Sequence, residues 1–576
     1  MADGELTPAI KAAIAAQKWV NACLDEGRDF RLEAGAGAGK TYSLIEALKR
    51  LITDKGTAMM QTGKRVACIT FTDNAREEIA REIEMHPAIL VDTIHGFAWA
   101  FISKFQKSLR DLVAASEDRA EAIAEAGGIN GQRVDYKLGF FEIDAERITL
   151  HHDDVPKYFA ALMAKVKFRN LLREQFPIIF IDEYQDTDPL LMKAFSEHFF
   201  DQDNGPLIGL FGDHWQTIYR SDYDLAEFAG VEGIDKGANF RSDRAIVNVL
   251  NALRPDLKQE QHHEGPGEAR FFHTNGYTDE RTNTAHAKAD LPDAVARQYV
   301  AGISERLVAD GWDMAPAKTK VLMLTHNALA AEQGYPSIAA IFDRNEGFAK
   351  KEDALIEFLA DTLEPLMAAY QRGSYGEMFR LLGKAPTIRM HADKISWRTD
   401  MDALQQLRLD GTIGQVIDHL KTSRRPRLAD GVMKREDEIE RLGPEPSDDE
   451  PRSIGRHRAL RNVAYAELIH LVKYLNGLTA FATHHSVKGA QFENVLVILG
   501  GGWNHYNWPR LLDILQTKVL TAQHRQGFFR ARNLLYVALS RPQRRLAVLA
   551  TQALSNDALD TAKRLFGDEN VHPFAP

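Results

Sequence analysis

The chain has 576 residues, too many for one ordinary domain, since about 150 residues per domain gives roughly four. A net charge of −10, with 44% hydrophobic and 26% charged residues, excludes wholesale disorder. The two cysteines, Cys23 and Cys68, exclude a disulfide framework and a four-thiolate metal site. So few cysteines, with no apolar run near about 18 residues, predict a cytoplasmic protein without a membrane span.

Apolar strand-like runs alternate with amphipathic helical stretches, a pattern typical of α/β proteins with parallel sheets and crossover helices. The strand candidates are Asp29–Glu33, Arg65–Phe71, Pro177–Ile181, Leu207–Phe211, Lys320–Thr325 and Asn494–Leu499. Several of them end directly in polar or glycine residues. In open α/β sheets, this carboxyl end is where ligands bind.

Two stretches differ from this alternation and are predicted to be helical insertions, at residues 104–173 and 345–471. The second contains a basic run, KTSRRPRLADG, followed by the acidic run EPSDDEPRS. Such charge runs are typical of a solvated, flexible loop. The alternative is that Arg424, Arg425 and Arg427 contact nucleic acid or a partner protein.

A glycine-rich segment between the first strand candidate and the helical sequence SLIEALKRLI has the order of a phosphate-binding loop. Its glycines let backbone N–H groups surround the β-phosphate, while Lys40 reaches the β- and γ-phosphates and the Thr41 hydroxyl binds Mg²⁺. The strict pattern has glycine where this chain has Ala34, and a ligand-free turn is the alternative. We predict ATP and Mg²⁺ as cofactors, with Ala36, Gly37, Ala38, Gly39, Lys40 and Thr41 in the loop.

The second half of a nucleotide site should be a carboxylate at the end of another strand. The apolar run that ends at Ile181 is followed by Asp182 and Glu183. We predict that Asp182 binds Mg²⁺ and that Glu183 is the general base for the attacking water. A solvated Asp-Glu turn is the alternative interpretation.

With the sequence Asp182-Glu183-Tyr184-Gln185-Asp186, the chain resembles the UvrD/Rep/PcrA class of superfamily 1 DNA helicases, and the motifs follow the family's order along nearly the whole chain. The matching segments are Gln17, the phosphate-binding loop, Ile69-Thr70-Phe71-Thr72 with Ala75 and Glu78, Asp92-Thr93-Ile94-His95-Gly96-Phe97, Gly212-Asp213 with Gln216-Thr217-Ile218-Tyr219-Arg220, Asn239-Phe240-Arg241-Ser242, Thr483 with His485, Lys488 and Gly489, and Tyr536-Val537-Ala538-Leu539-Ser540-Arg541.

On the nucleotide side, the resemblance implies that Arg241 and Arg541 act as arginine fingers from the second motor domain and that Gln216 senses the γ-phosphate. It also implies an adenine-reading role for Gln17 and a stacking role for Phe240. Tyr42 stands where the family often has arginine, and either stacks on adenine or packs against its helix. Gln491 replaces a family glutamate, and we expect it to hydrogen-bond a ribose or a backbone group.

On the DNA side, the resemblance implies that a single strand runs along motifs containing Phe71, Thr72, His95, Tyr219, Thr483 and His485. Stacking on aromatic side chains is worth about 1–3 kcal/mol per base. The alternative for Phe71 is a place in the core, because phenylalanine is usually buried.

The implied fold has two RecA-like parallel-sheet motor domains, each with a helical insertion. The first motor domain comprises residues 1–103 and 174–235, around the insertion 104–173. The second comprises residues 236–344 and 472–576, around the insertion 345–471.

The implied function is an ATP-driven 3′→5′ helicase or translocase on single-stranded DNA, acting in repair or anti-phage defence. The alternative is a DNA-sensing regulatory ATPase subunit of a nuclease-containing complex, with little unwinding activity of its own. The region from Thr483 to Val495, with the stretch GGWNHYNW that follows, resembles compact bacterial relatives such as the helicase-like subunit of the Gabija anti-phage system, which is encoded beside an OLD-family nuclease. We therefore expect DNA and such a nuclease as partners, no membrane partner, and no cleavage by this chain alone.

Overall fold

The computed structural model describes residues 6–137, 141–200, 205–217, 228, 230–284, 287–323, 330, 333–342, 346–349, 351, 353–382, 388, 390–443, 445, 450–476, 479–483, 489–500 and 506–576. The chain is mixed α/β, and its two largest sheets have six strands each. The predicted fold class is therefore confirmed, and each of the six strand candidates overlaps a strand of these two sheets. Residues 324 and 325 of the candidate Lys320–Thr325 lie outside the described residues.

The strands, in chain order, are β1 Phe30–Ala34, β2 Val66–Thr70, β3 Ile89–Thr93, β4 Arg133–Tyr136, β5 Glu142–Ile143, β6 Arg147–Leu150, β7 Ile178–Asp182, β8 Leu207–Gly212, β9 Glu232–Lys236, β10 Ala238–Asn239, β11 Glu260–Gln261, β12 Glu268–His273, β13 Thr282–Thr284, β14 Ala287–Asp290, β15 Thr319–Met323, β16 Phe481–Thr483, β17 Phe492–Leu499, β18 Pro542–Ala550 and β19 Val571–Pro573.

The helices are α1 Pro8–Glu26, α2 Lys40–Thr62, α3 Asp73–Glu82, α4 Ile94–Ile102, α5 Gln106–Ala114, α6 Ala120–Glu125, α7 Asp154–Met163, α8 Val166–Gln175, α9 Pro189–His198, α10 Arg244–Leu253, α11 Asp293–Ala309, α12 Pro336–Ile341, α13 Glu346–Ala349, α14 Ala354–Glu357, α15 Glu364–Gln371, α16 Tyr375–Leu381, α17 His391–Asp410, α18 Ile413–Ser423, α19 Asp430–Leu442, α20 Arg452–Arg461, α21 Tyr465–Leu475, α22 Trp508–Thr517, α23 Ala522–Leu539 and α24 Asn556–Phe566. A π-helical turn, Phe358–Leu363, joins α14 to α15.

The first large sheet has the strand order β3-β2-β7-β8-β1-β9, and every neighbouring pair in it is parallel. Its strands β2, β7 and β8 are apolar and buried on both faces, as expected for the centre of a parallel sheet covered by helices. One face packs on α1 and α2 through residues such as Phe30, Val66 and Phe180. The opposite face packs on helices that include α4 and α7, through residues such as Ile69 and Ile181.

The second large sheet has the order β16-β15-β17-β18-β12-β19. The strand β15 is parallel to both β16 and β17. Val321, Leu496 and Leu549 lie in a buried cluster with residues of α11. The helices α12 to α21 form a separate buried cluster, consistent with the helical pattern of residues 345–471.

The first insertion, residues 104–173, contains short strands as well as the predicted helices. Besides α5 to α8 it contains a three-stranded sheet of order β4-β6-β5. The strands are short and β6 buries Ile148 and Leu150 against the helices. Strands of two to four residues give too few alternations for a period-two pattern to stand out among charged residues.

The chain folds into two compact units. The first comprises residues 1–270, 505–546 and 555–571, and the second comprises residues 271–504, 547–554 and 572–576. The four-domain assignment made from the sequence stays a prediction. Among the described residues, the structure contains no helix that is both long and apolar enough to cross a membrane.

Candidate nucleotide and DNA site

The phosphate-binding loop connects β1 to α2, both in the first unit. Gly37 and Gly39 have φ angles of 77° and 73°, in the left-handed region that favours glycine. The Ala38 N–H donates to the Gly35 carbonyl at 3.0 Å, which closes the turn. The loop therefore has the backbone conformation in which successive N–H groups can surround a phosphate at a helix N-terminus.

Lys40, Asp182 and Glu183 are brought together, as the sequence predicts. The Lys40 Nζ lies 3.0 Å from Asp182 Oδ1 and 2.6 Å from Glu183 Oε1. Burial alone would lower the pKa of Lys40, but the two carboxylates hold that pKa above its usual range. Burial raises the pKa of Asp182, and the Lys40 charge offsets this only in part.

Glu183 lies just beyond β7 with φ at 50°, an uncommon conformation for a residue with a side chain. Strained residues of this kind are concentrated at functional sites. The Glu183 carboxylate accepts a hydrogen bond from Gln185 Nε2. Its orientation is therefore fixed by its own motif as well as by Lys40.

These residues fit a magnesium nucleotide. Asp182 Oδ1 is buried, and its neighbour is the Lys40 ammonium, a cation that a bound nucleotide would draw away. A carboxylate oxygen of this kind is the ligand that Mg²⁺ prefers. Thr41 lies in the first turn of α2, directly after Lys40. The glycine conformations, the lysine and the carboxylate oxygen thus match the cofactors predicted from the sequence.

Two buried guanidinium groups lie in the same unit, those of Arg241 and Arg541. Arg241 Nη1 donates to the Ser540 carbonyl at 2.9 Å, and Arg541 Nε donates to the Val537 carbonyl at 2.9 Å. Burial, followed by repulsion from Arg241, lowers the pKa of Arg541 to about 9. Burial also lowers the pKa of Arg241. Two like charges held in a buried site would be stabilised by a bound anion such as a phosphate.

Gln216 connects these arginines to a network at the ends of β1 and β8. Its Oε1 accepts from Arg541 Nη2 at 3.3 Å, and its Nε2 donates to Asp213 Oδ2 at 2.8 Å. Arg254 Nη1 donates to the other Asp213 oxygen at 2.6 Å, and Arg254 Nη2 lies 3.7 Å from Glu33 Oε2. The position of Gln216 therefore depends on buried charges on both sides of it.

Glu33, Asp213 and His214 each place one ligand atom within 4.8 Å of the others, close enough together to hold a metal ion. The guanidinium of Arg254 already supplies positive charge there. Burial alone would raise the pKa of Glu33. The hydrogen bond and charge of His214 outweigh the effect of burial and lower this pKa to about 2. We interpret this cluster as structural.

Several residues that the sequence analysis did not assign hold the phosphate-binding loop. The Ala36 N–H donates to the Tyr536 hydroxyl at 3.1 Å. The Ala36 carbonyl accepts from Asn239 Nδ2 at 3.2 Å and from Gln259 Nε2 at 3.0 Å. Asn239 and Tyr536 lie in quoted motifs, so motif membership could have indicated them, but nothing in the sequence distinguishes Gln259.

Lys236 is a further residue that the sequence analysis missed. It ends β9, directly opposite Ala34 of β1. Its buried Nζ donates to the Gly39 carbonyl and to Ser43 Oγ, both at 2.8 Å. Burial, with no compensating carboxylate among the described residues, lowers its pKa to about 8. Lys236, at the carboxyl end of β9, thus holds the backbone of the phosphate-binding loop at Gly39.

The predicted adenine-binding residues lie in different environments. Gln17, on α1, has a buried Oε1 with no hydrogen-bond partner among the described residues, as an adenine amino group would require. The Phe240 N–H donates to the Gly37 carbonyl at 2.8 Å. Tyr42 is 66% exposed, so simple helix packing does not account for it. Gln491 is exposed and belongs to the second unit.

Three of the predicted DNA-binding residues lie at the carboxyl ends of two neighbouring strands of the first sheet. Phe71 and Thr72 follow β2 and His95 follows β3, and the ends of these strands pair at Thr70 and Thr93. Phe71 is 41% exposed, which excludes the core alternative. Thr72 accepts from the Ala75 N–H and so caps α3. The His95 ring stacks on His152 of the first insertion, with centroids 3.5 Å apart.

The remaining DNA-binding candidates give less information. Tyr219 and His485 lie outside the described residues. Thr483 is the last residue of β16, in the second unit.

In the basic run of the second insertion, KTSRRPRLADG, Arg425 pairs with Asp400 at 2.6 Å and Arg427 pairs with Asp430 at 2.9 Å.

The chain is similar in sequence to one family model and to several known proteins. A family model described as "AAA domain" matches residues 22–222. The chain is similar to Gabija protein GajB of Bacillus cereus (strain HuB5-5), with 23% identity over 97% of this chain and 98% of that protein. It is also similar to RecBCD enzyme subunit RecB of Mycobacterium tuberculosis (strain CDC 1551 / Oshkosh), with 30% identity over 30% of this chain and 18% of RecB.

Proposed function

We propose that this chain, whose resemblance to UvrD/Rep-like superfamily 1 helicases is confirmed by its homology to GajB and RecB, is an ATP-dependent 3′→5′ helicase that translocates on single-stranded DNA. One observation carries the proposal. The Lys40, Asp182 and Glu183 cluster lies in the same unit as the buried pair Arg241 and Arg541, within electrostatic reach of Arg541.

Each of these residues has a defined part in hydrolysis. Lys40 would leave its carboxylate partners to bind the β- and γ-phosphates. Thr41 and Asp182 would hold Mg²⁺, which would supply positive charge to the phosphates. Freed from Lys40, Glu183 orients the attacking water and accepts its proton. Arg241 and Arg541 stabilise the charge that spreads over the transferring phosphoryl group.

Coupling to DNA passes through the segment that contains Gln216. Gln216 contacts Arg541 on one side, and Tyr219, implied by the family resemblance to bind DNA, follows three residues later in the sequence. A change at the γ-phosphate that alters the Gln216–Arg541 contact would therefore move the start of the DNA-binding segment. Phe71 and Thr72, at the end of β2, supply another part of the proposed track.

The pathway we propose is anti-phage defence or DNA repair. The support is the full-length similarity to a Gabija protein and the partial similarity to a subunit of the RecBCD enzyme. We further propose that an OLD-family nuclease subunit is the partner and that the chain acts in the cytoplasm. Co-purification of the chain with the product of the neighbouring gene tests the partner.

A second function is favoured by one of these relatives, because RecB is a subunit of the RecBCD enzyme. In this alternative the chain is a DNA-sensing ATPase that regulates a nuclease and unwinds little by itself. The ATP site is the same in both functions. What differs is whether hydrolysis by the chain alone separates strands.

A strand-displacement assay with the pure chain decides between the two functions. The substrates are duplexes with a 3′ or a 5′ single-stranded tail, each with ATP and Mg²⁺. The helicase proposal predicts ATP-dependent displacement from the 3′-tailed duplex and little from the 5′-tailed one. DNA-stimulated hydrolysis without displacement of either duplex would favour the regulatory function, and displacement from the 5′ tail would contradict the polarity.

A further inference from the structure

The first half of α23 has a face of guanidinium groups and aromatic rings, formed by Arg525, Phe528, Phe529 and Arg532. We refer to it as the arginine–phenylalanine face. The spacing of these residues places them on one side of a helix with 3.6 residues per turn. Arg525 is exposed and the other three are partly exposed. The face is therefore accessible to a ligand, whereas the second half of α23 is buried.

The rings and charges of this face contact each other in sequence along the helix. The rings of Phe528 and Phe529 meet edge to face, with centroids 5.5 Å apart. The Arg525 guanidinium lies 5.8 Å from the Phe529 ring. Arg532 lies 4.7 Å from the same ring and 3.9 Å from the ring of Trp215. These contacts hold the two rings between the two guanidinium groups.

The surrounding sequence is strongly basic. No aspartate or glutamate occurs between Ile514 and Ala550, although the whole chain has a net charge of −10. Within the described part of the chain, no carboxylate lies within ion-pair distance of Arg525. A basic surface on an acidic protein indicates a polyanionic ligand.

The arginine–phenylalanine face is continuous with the nucleotide site. Tyr536, one turn beyond Arg532 on the same side of α23, accepts the Ala36 N–H of the phosphate-binding loop. Asn533 Nδ2 donates to the carbonyls of His214 and Thr217, at 3.3 Å and 3.1 Å. A ligand on this face would thus contact a helix that is anchored on both sides of Gln216.

We propose that the arginine–phenylalanine face binds a single DNA strand, with bases stacked on Phe528 and Phe529 and a phosphate paired with Arg525. A single strand offers both unstacked base faces and phosphates, which is the chemistry that alternating rings and cations recognise. A duplex offers phosphates but no free base faces, and an acidic peptide offers charge without planar bases. This inference rests on the proposed function and adds a binding surface to it.

The test measures binding of a fluorescent oligo-dT by the full chain, over a range of salt concentrations. The variants are Arg525→Gln, Arg525→Lys and Phe529→Leu, and the matched control is Arg398→Gln, an arginine that is 81% exposed on α17. Thermal midpoints confirm that each variant is folded. Blunt duplex DNA is measured in parallel, to separate recognition of bases from recognition of phosphates.

We expect Phe529→Leu to weaken single-strand binding at least about fivefold, because one stacked base is worth about 1–3 kcal/mol. Arg525→Gln should reduce the slope of log affinity against log salt by about 0.7, the value for one phosphate contact on a single strand. Arg525→Lys should keep that slope, and Arg398→Gln should behave like the wild type.

If Arg525→Gln and Phe529→Leu bind oligo-dT with the affinity and the salt slope of the wild type, this inference is overturned while the proposed function stands. Losses confined to duplex binding would overturn it in favour of a duplex contact. A wild-type chain that binds no DNA even at low salt would overturn both this inference and the proposed function.

Discussion

At the residue scale, burial acts on several cations of the nucleotide site at once. It lowers the pKa of Lys236, Arg241 and Arg541 alike. Lys40, by contrast, is held charged by Asp182 and Glu183. A nucleoside triphosphate would bring negative charge to this group of cations, so the charges of the protein favour its binding.

The two arginines should act on one phosphate. Arg241→Ala and Arg541→Ala are each expected to reduce turnover by up to about 10³, the low end for an arginine that stabilises transition-state charge. Because both act on the same group, the double variant should lose less than the product of the single losses. Steady-state ATPase rates check this, with the exposed Arg244→Ala as the control. Fully multiplicative losses would indicate separate sites.

Lys236 should destabilise the folded protein at neutral pH, because burial disfavours its charged ammonium group. Its pKa is about 8 in the folded chain and 10.5 when exposed, so between these values the unfolded chain binds more protons. The contribution of Lys236 to stability therefore rises as pH increases from about 8 to about 10.5.

We expect Lys236→Met to have a higher thermal midpoint than the wild type at pH 7, with the difference shrinking toward pH 10. The exposed Lys258→Met is the matched control and should show no such trend. A difference in midpoint that stays constant with pH would mean that Lys236 titrates normally.

At the element scale, the features that could be predicted from the sequence are those set by the ends of strands and by the spacing of motifs. Asp182 and Glu183 follow an apolar run, and the structure places them against Lys40 as that pattern indicates. Lys236, Arg254 and Gln259 were not predicted, because their contacts join segments that are distant in sequence and belong to no motif. The sheet β4-β6-β5 was missed because its strands are too short to show a period.

The short turn His214–Gln216 should couple the nucleotide to DNA. Gln216→Ala removes the contact with Arg541 Nη2 at 3.3 Å while leaving Lys40 and the loop intact. We expect this variant to bind nucleotide nearly as well as the wild type but to lose most of the stimulation of hydrolysis by single-stranded DNA. Nucleotide titration and ATPase assays with and without DNA measure the two effects. Equal loss of both would assign Gln216 to binding rather than coupling.

At the scale of the whole molecule, we expect the chain to move on DNA without cutting it. A nuclease needs carboxylates that hold metal ions at the scissile phosphate. In the described ranges, the group of acidic and histidine side chains close enough for a metal is Glu33, Asp213 and His214, and Arg254 already pairs with it. Incubation of the pure chain with Mg²⁺ or Mn²⁺ and plasmid should leave the plasmid intact. Cleavage that persists in Lys40→Ala through repeated purification would reveal a second active site.

The central claim is that one site hydrolyses ATP in response to single-stranded DNA. The most direct measurement is ATP turnover at low salt, with and without oligo-dT, for the wild type, Lys40→Ala and Glu183→Gln, together with nucleotide binding by each. We predict DNA-stimulated turnover in the wild type and none in either variant, with nucleotide retained by Glu183→Gln and lost by Lys40→Ala. Turnover that is indifferent to DNA, or wild-type turnover in Glu183→Gln, would contradict the claim.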